Sequence, residues 1–349
     1  VAFPRIVGHL AARRALARAT AAGRLPSGLL LTGPSGIGKR ALAIELARAL
    51  VCLGDGERPC EACSHCRRIL HGLEAVGETR ERAVQEESPV LLNHYLHPDV
   101  LLVEPWRGAA RPAIRVEQVR HLIEQVQSRP FESRARAIVI DDAHWMTAEG
   151  ANALLKSLEE PPSPTHFVLV TDRPEQLPQT IRSRCQRLRL GPLPRATLEA
   201  YLREHAGLSP AEARRRAGLA GGSVGAALEL DAEGGSERRD ELLALLEAAG
   251  SMGALERQQA AQKLDQAGDL PGSLLLLRSL LRDVAALRAG APEVVAHLDV
   301  AERLSVLAAG PLGARAGRAA EALAERMEAV MGNAYGPLAC EVIVDCIVA

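Results

Sequence analysis

Apolar residues recur at helical spacing over residues 7–22, and Gly23-Arg24-Leu25-Pro26 then turns into an unbroken apolar run at 28–31. This predicts a helix followed by a buried strand. A glycine-rich loop, Gly33-Pro34-Ser35-Gly36-Ile37-Gly38-Lys39, comes next, and residues 40–53 return to helical periodicity. Residues 73–97 break the pattern: GETRERAVQEES is charged and polar and reads as an exposed excursion, helical in part. A short strand is expected at 99–103, a loop at 106–112, and a helix at 116–127 with its apolar stripe at Val116, Val119, Leu122, Ile123 and Val126. Residues 137–140 and 166–171 read as buried strands, with a helix over 148–160 between them, capped by Thr147 and ended by Pro161-Pro162. After Pro178 come a short helix and a last strand at 186–190. Beyond 195 the pattern is helical: three short helices to 230, a linker at 231–236, then helices broken near Gly268, Gly290-Ala291-Pro292 and Gly310-Pro311. Strands alternating with helices, then helices alone, predict an α/β parallel-sheet domain followed by helical domains.

The junction of the first strand and its helix carries chemistry. Strand, glycine loop and helix, in that order, form the context of a phosphate-binding loop. Gly33, Gly36 and Gly38 let successive backbone N–H groups turn toward one anion, the helix N-terminus adds positive potential, and Lys39 reaches the outer phosphates. A glycine-rich turn in an ordinary α/β protein is the plainer alternative. The next position departs from the pattern: a Ser or Thr hydroxyl belongs there as a Mg²⁺ ligand, whereas Arg40 sets a fixed cation beside the ion's expected place. Asp141-Asp142 follows the strand 137–140 and so lies at the sheet's carboxyl edge, which faces the ligand crevice. Asp141 can hold Mg²⁺ through water. The second acid would polarise an attacking water, and Asp142 stops about 1.5 Å short of where a glutamate would reach, an error that costs about 10²-fold in rate. Alternatively, both acids only cap the loop that follows. Thr171, ending the strand 166–171, is placed to sense a γ-phosphate.

Charge and cysteine content narrow the picture. Lys plus Arg (42) nearly cancels Asp plus Glu (43), so no overall field draws the chain to nucleic acid or membrane, and any DNA contact is local. The 349 residues suffice for two or three domains. No run approaches the ~18 apolar residues of a membrane span, and the first residues lack the features of a secretory signal, so the chain is expected in the cytoplasm. There, clustered cysteines point to metal before disulfides. Cys52, Cys60, Cys63 and Cys66 are spaced to converge on one tetrahedral ion, and four thiolates leave no open position, so the expected zinc is structural. His65 is a candidate substitute ligand; a redox cluster or free thiols are the alternatives. Cys185, Cys340 and Cys346 stand apart and read as core or interface residues.

The stretches VGHLAARRALARATAAGRLPSGLLLTGPSGIGK, CEACSHC, ANALLKSLEEPP and PQTIRSRCQRL cover most of residues 1–190. They resemble the AAA+ ATPases, and among them the bacterial clamp-loader subunits of DNA polymerase III. The resemblance implies an AAA+ P-loop domain over 1–194 with its zinc module at 52–66, a helical lid at 195–232, and an all-α oligomerising collar at 237–349. In that family the Ser-Arg-Cys triplet supplies an arginine finger, here Arg184, which reaches ATP bound by a neighbouring subunit; a surface ion pair is the plainer reading. The family's gamma/tau motor subunits carry Lys-Thr or Lys-Ser, Asp-Glu, and a lid Gly-Ser-x-Arg. This chain has Lys39-Arg40, Asp141-Asp142 and Gly222-Ser223-Val224-Gly225, and all three departures weaken hydrolysis. The resemblance thus implies a ring subunit that does not itself turn over ATP during DNA replication. Its implied partners are the gamma/tau motor and delta subunits and, through the assembled complex, the sliding clamp and primer–template DNA. The intact loop still permits ATP, ADP or sulfate. Three other readings compete: a hydrolysing gamma/tau-type motor; a free-standing P-loop kinase or transferase with a structural zinc, in which Arg184 would be idle; and a zinc-dependent DNA-binding protein, which lacks a basic or aromatic reading surface here.

Overall fold

A computed structural model of the chain describes residues 3–108, 112–161, 164–230, 234–265, 270–331 and 336–348. It divides into two compact units, 1–193 and 194–349.

The first unit runs α1 (Leu10–Ala21), β1 (Gly28–Thr32), α2 (Lys39–Val51), α3 (Ser64–Glu74), α4 (Val76–Gln85), β2 (Asn93–His97), β3 (Val100–Val103), α5 (Val116–Val126), β4 (Arg136–Ile140), α6 (Ala148–Glu159), β5 (Thr165–Thr171), α7 (Gln179–Arg182) and β6 (Gln186–Arg189). The sheet order is β2-β3-β4-β5-β1-β6, parallel throughout except for the antiparallel β2–β3 pair. Its central strands carry unbroken apolar runs (29–31, 137–140 and 167–170) because both faces are covered. Leu29, Leu31, Leu102, Val139, Val168 and Val170 pack with α1, α2 and α3 on one side. Leu30, Leu101, Ile138, Ile140, Phe167 and Leu169 pack with α5 and α6 on the other. Because the strands are parallel, the residues that follow β1, β3, β4 and β5 share one edge: Gly33, Glu104, Asp141 and Asp172.

Two expectations are corrected. The first helix starts at Leu10 rather than residue 7, since Gly8 and His9 take left-handed conformations (φ 65° and 50°) that a helix cannot continue through. In the stretch 73–97 the charged segment 77–88 is largely exposed and mostly helical, as expected, and contains most of α4, but the excursion ends before Asn93–His97, which is an edge strand. That strand is polar in sequence, but Asn93, His94 and His97 are buried, and each has a polar partner. Asn93 Nδ2 donates to Gln118 O at 2.8 Å, His94 Nε2 lies 3.0 Å from Glu104, and His97 Nδ1 accepts from the Asp99 amide at 3.0 Å. Thr147 caps α6 as expected, accepting from the Gly150 amide at 3.2 Å. Pro162 and residues 109–111 of the 106–112 loop lie outside the described residues.

The second unit is helical: α8 (Arg195–His205), α9 (Pro210–Leu219), α10 (Val224–Glu229), α11 (Gly234–Ala248), α12 (Ala254–Asp265), α13 (Leu270–Arg288), α14 (Ala301–Ala309), α15 (Pro311–Met331) and α16 (Gly336–Val348). It holds two hydrophobic clusters. Leu198, Leu202, Ala213, Ala217 and Ala227 join α8 to α10, and a larger cluster around Leu243, Leu277, Leu281, Leu304 and Ala316 joins α11 to α16. Arg195 and Arg282 tie the two together, donating to Val295 O (3.1 Å) and Gly218 O (3.0 Å). Of the expected linker, 231–233 lies outside the described residues, as does Gly268, while Gly234 already begins α11. Cys185 and Cys340 are buried; the Cys346 side chain is outside the described residues.

Candidate nucleotide and metal sites

The loop between β1 and α2 has the backbone that its glycines foretell. Gly33, Gly36 and Gly38 all have positive φ (144°, 70° and 97°), and a Cβ at Gly33 would stand 2.2 Å from Leu190 O, so no other residue fits between the loop and the end of β6. Lys39 opens α2, is buried, and donates from Nζ to Pro34 O at 2.6 Å. Burial lowers its pKa against the pull of Asp172, Asp141 and Asp142.

Arg40 occupies the ground between two acids. Its Nη1 lies 2.5 Å from Glu104 Oε1 and 3.4 Å from Asp141 Oδ2. The acids are neighbours because β3 and β4 pair in register and the Asp141 amide donates to Val103 O at 2.9 Å. Glu104 is a hub that the sequence reading missed. Besides Arg40 it takes two bonds from Arg80 (Nε 2.7 Å, Nη2 2.6 Å) and faces His94 Nε2 at 3.0 Å. Burial would raise its pKa, but Arg80, His94 and Arg40 together hold it far below the usual carboxylate range. Asp141 is less well served: burial pushes it up to about 6, Arg40 opposes this, and Asp142 and Glu104 add to it. The one signal in the sequence for Glu104 was an acid directly after an apolar strand.

Asp142 is left-handed (φ 46°), and its Oδ2 lies 3.2 Å from Arg107 Nη2. Thr171 is buried at the carboxyl end of β5, with its hydroxyl 3.0 Å from His144 Nδ1 and accepting from the Arg173 amide at 3.0 Å. His144 also faces Asp172 at 3.5 Å. Neither His144 nor Asp172 was singled out in the sequence. Asp142, His144 and Asp172 bring their ligand atoms within 4.8 Å of one another.

The four cysteines converge: all Sγ atoms of Cys52, Cys60, Cys63 and Cys66 lie within 4.8 Å of one another. Tetrahedral metal–sulfur bonds of about 2.3 Å require sulfurs near 3.8 Å apart, so the quartet can hold a metal ion. The backbone is built around the sulfurs. Cys52 Sγ accepts from the Gly54 and Cys60 amides (both 3.4 Å), Cys60 Sγ from the Cys63 amide (3.3 Å) and Cys63 Sγ from the Cys66 amide (3.5 Å). A Cβ at Gly54 would stand 2.8 Å from Cys60 Cβ, so the chain passes over the sulfurs only as glycine. The Cys63 amide draws the Cys60 thiol down to about 6, and burial pushes Cys66 up to about 12. His65 is not with the thiols. Its ring packs on His97 (centroids 4.3 Å apart), with Nδ1 3.0 Å from Val51 O and Nε2 3.5 Å from Glu132. His65, His97 and Glu132 form a second cluster, but His97 Nδ1 has committed its lone pair to the Asp99 amide, which leaves the ring proton on Nε2 and no ligand there.

Arg184 follows α7. Its Nε donates to Glu159 Oε1 at 2.6 Å and its Nη1 to Thr180 O at 3.0 Å, while Nη2 also pairs with Glu159, so within this chain it forms a surface ion pair. Gly225 lies on α10, whose cap is Ser223.

A family model described as "DNA polymerase III, delta subunit" matches residues 8–194. The DNA polymerase III subunit delta' of Bacillus subtilis is 36% identical over 207 residues, 59% of this chain and 54% of that protein. The delta' subunit of Escherichia coli is 31% identical over 288 residues, 82% of this chain and 78% of that protein. The tau subunit of Salmonella typhimurium is 30% identical over 294 residues, 81% of this chain but 40% of that protein. The chain thus spans about half or less of the B. subtilis and S. typhimurium relatives. Fold and site define an AAA+ P-loop domain with an arginine where the metal-binding hydroxyl belongs. The chain belongs to the delta-prime family of DNA polymerase III clamp-loader subunits. Among the described residues no helix is long and apolar enough to cross a membrane.

Proposed function

We propose that this chain is a ring subunit of a clamp loader that does not turn over ATP itself and donates Arg184 to nucleotide bound by a neighbouring motor subunit. The observation that carries the reading is the Arg40 guanidinium between Glu104 and Asp141. A hydrolysing site needs a divalent ion there, with a hydroxyl ligand and an acid that reaches the attacking water; here a cation is supplied by the chain and Asp142 leans to Arg107. The same observation disfavours the gamma/tau-type motor reading. Gly225 stands where the family's motor subunits carry a lid arginine, and glycine supplies no cation.

The supporting parts follow the same reading. Cys52, Cys60, Cys63 and Cys66 hold a structural Zn²⁺ that staples the end of α2 to the start of α3. The helical stretch 237–349 packs with its counterparts as a collar, and 195–232 serves as the lid. The partners are gamma/tau-type motor and delta subunits in the cytoplasm, with sliding clamp and primer–template DNA engaged by the assembly.

Arg184 is the residue through which such a subunit acts. Its ion pair with Glu159 is exposed and weak, so an approaching phosphate can displace the carboxylate. The test is DNA- and clamp-stimulated ATPase of a reconstituted loader carrying Arg184→Ala, with assembly checked by size. A lone finger contributes ~10³–10⁵ in small GTPases; a ring with several sites keeps the others, so partial loss of turnover in an intact complex is expected. Arg184→Lys, which keeps the charge but loses the planar fork, fails likewise. Unchanged turnover and unchanged clamp loading would return Arg184 to a surface ion pair.

A further inference from the structure

The Gly33–Lys39 loop keeps every feature that binds phosphate and has lost the one that binds metal. Three glycines of positive φ open its amides, and α2, 13 residues long, begins beneath it. Lys39 is 7% exposed, and its ammonium meets one acceptor, Pro34 O, leaving two of its three donors without a protein partner among the described residues. A buried ammonium with spare donors, on a glycine loop at the start of a helix, is a site for an anion.

The cation side of the same site is already filled. Arg40 is held by Glu104 at 2.5 Å, and Glu104 is itself pinned by Arg80 and His94. The guanidinium therefore cannot swing away without stranding a buried carboxylate. Its contact with Asp141 uses the carboxylate that would hold a divalent ion's water shell. An ion arriving there would find no hydroxyl at position 40, one acid already paired, and a fixed positive charge as its neighbour. Like charges so placed repel.

We propose that Arg40 makes this loop a metal-independent polyphosphate site: it binds a nucleoside di- or triphosphate free of Mg²⁺, with Lys39 meeting the phosphate charge and the paired guanidinium barring the ion. The inference rests on reading Gly33–Lys39 as a phosphate loop. It also explains how a subunit can keep the loop without hydrolysis: the ligand is held as a structural anion, and no ion bridges its outer phosphates for transfer.

The experiment is equilibrium binding of ADP and of ATP to the full chain, first stripped of bound nucleotide, in EDTA and in excess Mg²⁺. Affinity in EDTA should equal or exceed that in Mg²⁺, because free Mg²⁺ competes for the phosphates. Arg40→Thr, checked for folding by circular dichroism, should reverse the order, with binding roughly tenfold or more tighter in Mg²⁺ once a hydroxyl ligand is restored. Lys39→Ala should abolish binding in both buffers. Tighter binding of wild type in Mg²⁺ would overturn the inference while leaving the loop as a nucleotide site. No binding of either nucleotide in either buffer would overturn the loop reading itself and the inference with it. The wild-type comparison decides the matter even if a variant fails to fold.

Discussion

Replacing Glu104 by Gln should cost the first unit about 2–3 kcal/mol. The glutamate side chain is 7% exposed and faces four nitrogen atoms, on Arg40, Arg80 (two) and His94, at 2.5–3.0 Å. An amide keeps one acceptor oxygen but turns an NH₂ toward at least one of these donors. Removing one partner of a buried charged pair costs about 3–5 kcal/mol. The Arg40 and Arg80 side chains are 32% and 48% exposed, so water recovers part of that loss. Both tryptophans, Trp106 and Trp145, lie in the first unit. Urea unfolding followed by their fluorescence therefore reports that unit alone, and with m near 2–3 kcal/mol/M the midpoint should fall by about 1 M. The pH dependence supplies an independent check. The folded pKa of Glu104 is depressed, so its contribution is present in full above the unfolded value, about 4.3, and is lost as pH falls through the folded one. The Glu104 contribution to the gap should thus persist from about pH 7 to 5, where Asp141, held up at about 6 with help from Glu104, widens it slightly, and close in stronger acid. A gap under ~0.5 kcal/mol at neutral pH, the range of an ordinary surface change, would refute the hub, as would a gap indifferent to acid.

Two further outcomes are expected. Metal analysis of the chain purified without chelator should find about one equivalent of zinc, lost in Cys66→Ser and more readily stripped in Gly54→Ala, whose methyl would press on Cys60; full thiol titration without zinc would exclude the site. His297 is wholly buried, neither ring nitrogen is bonded among the described residues, and burial, with Arg239 adding, brings it down to about 4. The unfolded state takes its proton near 6.5, so the second unit should lose up to ~3 kcal/mol as pH falls from 6.5 to 4. Hydrogen exchange of α13 and α14 would show this, and a slope unchanged in His297→Leu would remove His297 as the cause.

Much of this protein is local in sequence and was legible there. The β1–loop–α2 unit is contiguous: apolar run, glycines and lysine act on one another within a dozen residues, and their backbone geometry follows from what each residue type can adopt. The cysteine quartet is likewise short-range, its convergence implied by spacing within 52–66 and met by sulfurs within 4.8 Å. Thr147's cap and the breaks at Gly290 and Gly310 depend on single residues in the same way. Contacts between distant residues were not legible. Arg40, Glu104 and Asp141 are joined only because parallel strands deliver their carboxyl ends to one edge. Asn93–His97 reads as polar surface because its burial depends on Glu104, Gln118 and Asp99, which the pattern of one strand cannot reveal. His65 stands between two metal-type cysteines in sequence, yet points the other way, since a helix places successive side chains about 100° apart. Residue type and local spacing set which groups can do chemistry. Which group each one meets was decided by the packing of the sheet, because electrostatic and hydrogen-bond partners are selected by distance in space and not along the chain.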